Sequence, residues 1–332
     1  MKKITSMILA LVFAVSVIGS ASAKTLKIQL TFPKTSYDGQ IVKMWTDRVT
    51  KLTRGELKFE LLSKGEVVGM KETLEAVDKG LVDGGAAWTH YWSNYHPAAM
   101  LFGSPVAGGG IGLSTKSWLA WYFDNGGKEL YDQLWSEMGM NVKGFVMASS
   151  GPEALGWFKE PIKNMDDFRK YRFRTPPGIP GQTYKDIGIA SVSLSGGDIL
   201  PALEKGTIDA AEWCCPKPDS VFGFQKVLKN YYLQGLHQNV VNGDIYINGD
   251  VYNSLTDHQK YAMEVASEAM ITRNITNRAV ENGKALIDLT ENHGVKLWDT
   301  PADYFTEYMN CLLYTSDAAD EGLGVDLGGR RI

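Results

Sequence analysis

Cysteine is scarce in this chain. Among 332 residues there are three, the adjacent pair Cys214 and Cys215 and a third, Cys311, near the C-terminal end. That count excludes a framework of spaced disulfides. The five histidines, His90, His96, His237, His258 and His293, show no regular metal-ligand spacing, so spacing alone gives no zinc site. Basic runs are also missing and the net charge is −4, which makes nucleic acid and anionic membrane surfaces poor partners. Beyond the first 23 residues no apolar run reaches the ~20 residues that span a bilayer. There is no GxSxG, no HExxH and no GxGxxG, and the Gly108-Gly109-Gly110 run lacks a Walker lysine, so it reads as a plain flexible connection. Nothing offers a nucleophile, a base or a cofactor loop, and no internal repeat appears.

What is present begins with an export signal. Lys2-Lys3, an apolar stretch over residues 7–18 and the small residues Ala21-Ser22-Ala23 predict a signal peptide over residues 1–23, with a mature chain starting at Lys24 outside the cytoplasm. At the other end, residues 311–332 (CLLYTSDAADEGLGVDLGGRRI) show no sustained period, and CLLYTSDAADE reads as a translated sequencing adapter. The expectation is a non-native tail that adds nothing to the fold, with the natural chain continuing past Asn310. Cys214 and Cys215 are then the native cysteines. They read as buried thiols, with a vicinal disulfide left open.

Between these ends the pattern is α/β. LKIQL alternates as a strand. Ile41, Met44, Trp45, Val49 and Leu52 share a helical face, LKFELL is a second strand, KETLEAVDKG a helix and LVDGGAAW a third strand. This is βαβαβ, the signature of a parallel sheet covered by helices. One long helical stretch over residues 116–138 leads to a strand over 141–148. Later, LTDHQK opens a helix capped by Thr256 or Asp257 that runs over residues 256–292. At ~1.5 Å per residue that is over 50 Å, enough to brace two lobes. The division predicted is lobe I over residues 24–148 and 240–292, and lobe II over 149–239 and 293–310.

Residues 172–239 organise the rest. RFRTPPG, SGGDILPALEKGTID and IDAAEWCCPKPD read as strand, loop, helix, Gly turn and strand, with Arg174 at the first strand end and Glu212 at the last. Ligands of open α/β sheets bind outside the carboxyl ends of strands, so both face one crevice. Arg174 can grip a carboxylate through two parallel hydrogen bonds, and Glu212 offers hard oxygens to a cation. Arg172, two residues earlier, is read as lying on the opposite face of the strand from Arg174, away from the site. Trp88 and Tyr91 are read as rigid walls with polar tips, Trp92 and Phe102 as packing. Glu153 lies in the turn SSGPEALGWF, as a site acid or a solvated carboxylate.

GGDILPALEKGTIDAAEW, with FRTPPG before it and GFQKVLKNYY after it, resembles the periplasmic solute-binding proteins of tripartite ATP-independent periplasmic (TRAP) transporters. The likeness runs from about residue 24 to 310 and is strongest to the branch that binds 2-oxo acids through a bound metal ion. It implies a two-lobed, type II-like periplasmic binding protein with the ligand cleft between the lobes. It implies no enzyme, but capture of a small organic acid of the 2-oxo or 2-hydroxy type by hinge closure, delivered in the periplasm to the small and large membrane permease subunits; a homodimer and a sensory role for the same lobes stay open. By the same resemblance the metal, Ca²⁺ or Na⁺, is held by the Glu212 carboxylate, the Trp213 main-chain carbonyl and the residue at position 153. There the family carries Gln and this chain Glu153, an added charge that favours a divalent ion.

Overall fold

Alternation in KTLKIQL turns Leu26, Ile28 and Leu30 into a core as strand β1 (Lys24–Leu30). A computed structural model of the chain describes residues 23–105 and 114–323, with side chains up to residue 312; the expected signal peptide, save residue 23, and the Gly108-Gly109-Gly110 run lie outside the described residues. Ser36 accepts a hydrogen bond from the Gly39 amide and so caps α1 (Tyr37–Leu52), which buries Ile41, Trp45 and Val49 on the sheet. β2 (Leu57–Leu62), α2 (Thr73–Asp78) and β3 (Gly84–Trp88) complete the βαβαβ unit, and α3 (Ala99–Gly103) follows a short 3₁₀ turn.

The helix expected over residues 116–138 is two helices, α4 (Thr115–Asp124) and α5 (Gly127–Glu137). Gly126 between them takes φ of +84°, a left-handed conformation that ends the first helix, and a Cβ on Gly127 would lie 2.6 Å from the Tyr122 Cα. β4 (Val142–Ser150) then carries the chain to the second lobe.

That lobe contains β5 (Gly156–Phe158), α6 (Met165–Phe168), β6 (Arg172–Thr175), α7 (Ile179–Asp186), β7 (Ala190–Ser193), α8 (Gly196–Glu204), β8 (Ala210–Ala211), α9 (Pro216–Phe222) and β9 (Asn230–Tyr232). The stretch read as a loop after RFRTPPG therefore holds a helix and an edge strand, the helix opened by Pro180, whose fixed φ suits a first turn. The chain returns as β10 (Val241–Asn248) and α10 (Gly249–Asn253), runs along α11 (Asp257–Asn292), and ends with β11 (Lys296–Trp298) and α12 (Ala302–Leu323).

Two sheets result. The first has the order β2-β1-β3-β10-β4, with β10 antiparallel to both neighbours; the second has the order β11-β9-β5-β8-β6-β7. The molecule is thus the two-lobed α/β protein expected. Thr256 and Gln259 form a reciprocal capping box that starts α11. This 36-residue helix sends Met263, Ala266 and Met270 into the first lobe's core and Leu289 into the second's. Trp45 Nε1 donates to Ser267 Oγ at 2.8 Å, and the Lys217 amide donates to Asn282 Oδ1 at 3.0 Å, so polar contacts to both lobes lie along one rod.

The C-terminal stretch differs from expectation. α12 continues to Leu323, and Leu312 is buried among Phe168, Tyr184 and Tyr308. Leu312 therefore does contribute to the second lobe's core, because the helix begun at Ala302 brings that position round to the face already occupied by Tyr304 and Tyr308.

Candidate functional site in the cleft between the lobes

The lobes are closed on each other. Lys64 and Asp198 form an ion pair at 2.5 Å across the cleft, and Gln238 Nε2 donates to Ser104 Oγ at 3.1 Å. Beneath these contacts lies a small cavity of about 20 Å³, lined by Trp88, Tyr91, Glu153, Arg174 and Trp213 and by residues that sequence did not single out.

β6 and β8 run parallel with Arg174 beside Ala211, so Glu212 emerges at the same edge as Arg174. Arg174 Nη1 donates to the Glu212 carboxylate at 2.5 Å and to its main-chain oxygen at 2.9 Å, while Nε donates to the Leu194 carbonyl at 3.0 Å. The guanidinium stacks over Trp213 with 5.0 Å to the ring centroid. Nη2 has no hydrogen bond to any described residue. The expected two-pronged grip through the fork is therefore reduced to one free nitrogen, because Glu212 has taken the other. Arg172 pairs instead with Asp209 at the exposed surface, at 2.7 and 2.8 Å.

Glu153 is turned inward and buried. Its amide donates to the Gln238 carbonyl at 3.0 Å and the Ala154 amide to the Cys214 carbonyl at 2.8 Å, which clamps the turn between two other segments. Gly235 completes the clamp, since a Cβ there would meet the Glu153 oxygen at 2.8 Å and His237 Nδ1 at 3.0 Å. Sequence reasoning missed His237, because its role is set by that tertiary packing and by no spacing along the chain. Its ring is fully buried. Nε2 lies 3.5 Å from Glu212 and 3.8 Å from Glu153, and Nδ1 is 3.2 Å from the Tyr184 hydroxyl.

Ligand atoms of Glu153, Glu212 and His237 all lie within 4.8 Å of one another. Glu153 Oε2, Glu212 Oε2 and His237 Nε2 are each buried without a hydrogen-bond partner. Burial first, and then the Glu212 charge, push the Glu153 carboxyl well above the usual carboxylate range. Two orphaned carboxylate oxygens and an imidazole nitrogen facing one point are a donor set that fits a cation, which would relieve the desolvation and the mutual repulsion together.

The first lobe supplies walls. Trp88 meets Trp213 edge-on at 5.4 Å and Tyr91 at 5.3 Å. Burial brings the neighbouring His90 down to about 3, so it is a neutral wall residue. Trp92 and Phe102 are core residues. Asp38, Cys214 and Arg278 also line the cavity, and of these only Cys214 belongs to a motif that stood out in the sequence. Cys214 and Cys215 are free, buried thiols with Sγ atoms 2.7 Å apart, and Arg278 Nη1 donates to both, at 3.0 and 3.4 Å. Burial opposes ionisation of Cys215, but Cys214, Arg278 and Asn282 together bring it down to about 7.

The profile of the bacterial extracellular solute-binding proteins, family 7 (DctP), matches residues 30–310. A monocarboxylate 2-oxoacid-binding periplasmic protein of Nostoc sp. is 32% identical over 253 residues, which is 75% of this chain and 66% of the relative, just under two thirds of its length. The solved TRAP transporter solute-binding protein of Bordetella bronchiseptica RB50, a mixed-occupancy dimer with copurified calcium and picolinate in one active site, superposes with a TM-score of 0.82 at 25% identity, covering 90% of this chain and 87% of that one. A second, from Pseudoalteromonas atlantica with bound sodium and pyruvate, gives 0.80 at 22%, covering 90% of each chain. No helix among the described residues is long and apolar enough to cross a membrane.

Proposed function

The chain belongs to the bacterial extracellular solute-binding proteins of family 7, and from that premise we propose that it is the periplasmic binding subunit of a TRAP transporter. It captures a small organic carboxylate of the 2-oxo or 2-hydroxy type and delivers it to the small and large permease subunits. It is a carrier, and its site residues bind without transforming. The observation that carries this reading is the convergence of buried ligand atoms of Glu153, Glu212 and His237 on one point, with Glu212 paired to Arg174 and with Glu153 and Arg174 lining a cavity walled by both lobes.

Glu153 and Glu212, with the Trp213 carbonyl expected from the family, hold the ion, Ca²⁺ or Na⁺, and two carboxylates favour the divalent choice. Bound there, an ion would supply positive charge to the oxygens of an acid. Arg174, fixed by Glu212 and Leu194, presents Nη2 to the same carboxylate. Trp213 and Trp88, in edge contact, then wall the acid in and exclude water, which strengthens each charged contact. Opening breaks the Lys64–Asp198 pair, an exposed contact that costs little, so ligand occupancy can decide the equilibrium between open and closed forms. A thermal-shift screen of the chain against a library of carboxylates, neutral sugars and amino acids tests this. A ligand at 100 times its Kd adds ~2.7 kcal/mol of stability. Stabilisation by 2-oxo or 2-hydroxy acids is expected, and stabilisation by sugars or amines alone would contradict it.

A further inference from the structure

Behind Trp88 the cavity continues into the first lobe. Phe32, Ile41, Val42 and Met147 line this second compartment, and Asp38 and Arg278 line both it and the one that holds Arg174. Asp38 sits in the first turn of α1 and Arg278 in the middle of α11, each about nine-tenths buried. Arg278 Nη2 donates to Asp38 Oδ1 at 3.1 Å, its plane stacks 4.9 Å from the Tyr37 ring centroid, and Nη1 is taken by the two thiols. The pair is held from both sides, yet it is incomplete. Arg278 Nε, a donor, and Asp38 Oδ2, an acceptor, are buried with no partner.

An orphaned donor and an orphaned acceptor on one ion pair that lines the cavity define what satisfies them. An alkyl group serves neither. A carboxylate can accept from Nε but meets the Asp38 charge. A hydroxyl serves both, donating to Oδ2 while accepting from Nε.

We infer that Asp38 and Arg278 form a second ligand subsite, which selects monocarboxylates carrying a hydroxyl beyond C2 over both their deoxy parents and dicarboxylates of the same length. The inference rests on the carboxylate reading above and names the acid class within it.

Calorimetry on the full chain with Ca²⁺ present tests it, using 2-oxobutanoate and 2-oxopentanoate, their C3-, C4- and C5-hydroxylated forms, and the matching dicarboxylates. At least one hydroxylated acid is expected to bind tenfold or more tighter than its parent. In Asp38→Asn, which replaces the acceptor with a donor, that preference falls below threefold. Hydroxylated acids all within threefold of their parents, as when water alone fills the subsite, would overturn the inference, as would an undiminished preference in Asp38→Asn. If the parents bind, that failure leaves the carboxylate site standing. If no acid binds at all, the site and the subsite fall together.

Discussion

The two lobes meet the cleft with different chemistry. The second presents Arg174, Glu153, Glu212 and His237, all buried and joined by contacts within that lobe. The first presents Trp88 and Tyr91, whose rings meet at a tilt, with Trp88 edge-on against Trp213. Charges need a rigid frame, because each must be compensated before the ligand arrives, and the Arg174–Glu212 pair and the clamp around Glu153 provide it. Aromatic walls need no such compensation and can approach or withdraw cheaply. The difference assigns capture to the second lobe and enclosure to the first, with α11 keeping the two in register.

Removing Arg174 should produce the largest effect. Arg174→Ala leaves Glu212 buried beside Glu153 with its ion-pair partner gone, a cost of ~3–5 kcal/mol. Denaturant unfolding should show that loss, and calorimetry should show carboxylate affinity falling more than a hundredfold; a variant within threefold of wild type in binding would remove Arg174 as the anchor. Leu312→Ala probes the same lobe away from the ligand. It deletes a buried side chain packed against the tyrosines of the second core, and about 2–3 kcal/mol of stability should go with ligand affinity unchanged. Unchanged stability would return the C-terminal segment to the status of a passive tail. On the enclosing side, Trp88→Ala should weaken the ligand by about tenfold, ~1.4 kcal/mol, through the lost wall and the edge contact to Trp213. A loss as deep as that of Arg174→Ala would erase the division of labour.

The smallest effect is a pH slope, to which each lobe contributes one buried aspartate. Burial raises Asp219 in the second lobe to about 8 and Asp244 in the first to about 7, against the hydrogen bonds each accepts. Because the folded values lie above those of the unfolded chain, the folded protein retains protons that the unfolded chain has released. The associated stability is fully present below about pH 4 and is lost as pH rises, through about 7 for Asp244 and about 8 for Asp219. Asp244→Asn should flatten the part of the slope that ends near pH 7, and Asp219→Asn the part that reaches pH 8. Urea unfolding across pH 5 to 9 measures both, and slopes identical to wild type would show that these carboxyls are ionised throughout.

Much of this molecule is legible in its sequence. Strand alternation and Gly stops mark β1, β2 and the long helix closely, because period and caps are local signals. Arg174, Glu212 and Trp213 follow from strand ends in one motif-rich stretch. Where local signals stop, the reading fails. Asn125-Gly126 breaks a helix whose apolar pattern runs straight through, and α7 is short and flanked by Pro and Gly. His237, Asp38 and Arg278 come from segments far apart in the chain, so only the packing of α1 and α11 brings Asp38 and Arg278 to the cleft, and only the turn after β9 sets His237 against Glu153 and Glu212. Arg174 itself was legible as a site residue, while its commitment to Glu212, which leaves a single free nitrogen, depends on a side-chain geometry no string contains.

The central claim is that the second lobe captures its acid through a cation and Arg174 together. Pyruvate titrated calorimetrically into chelator-stripped protein, and again with Ca²⁺ or Na⁺ added, tests it directly. The account predicts at least tenfold tighter binding with Ca²⁺ than in chelator, with Na⁺ between the two. Equal affinity in all three conditions would contradict it and leave Glu153, Glu212 and His237 as a buried network without an ion.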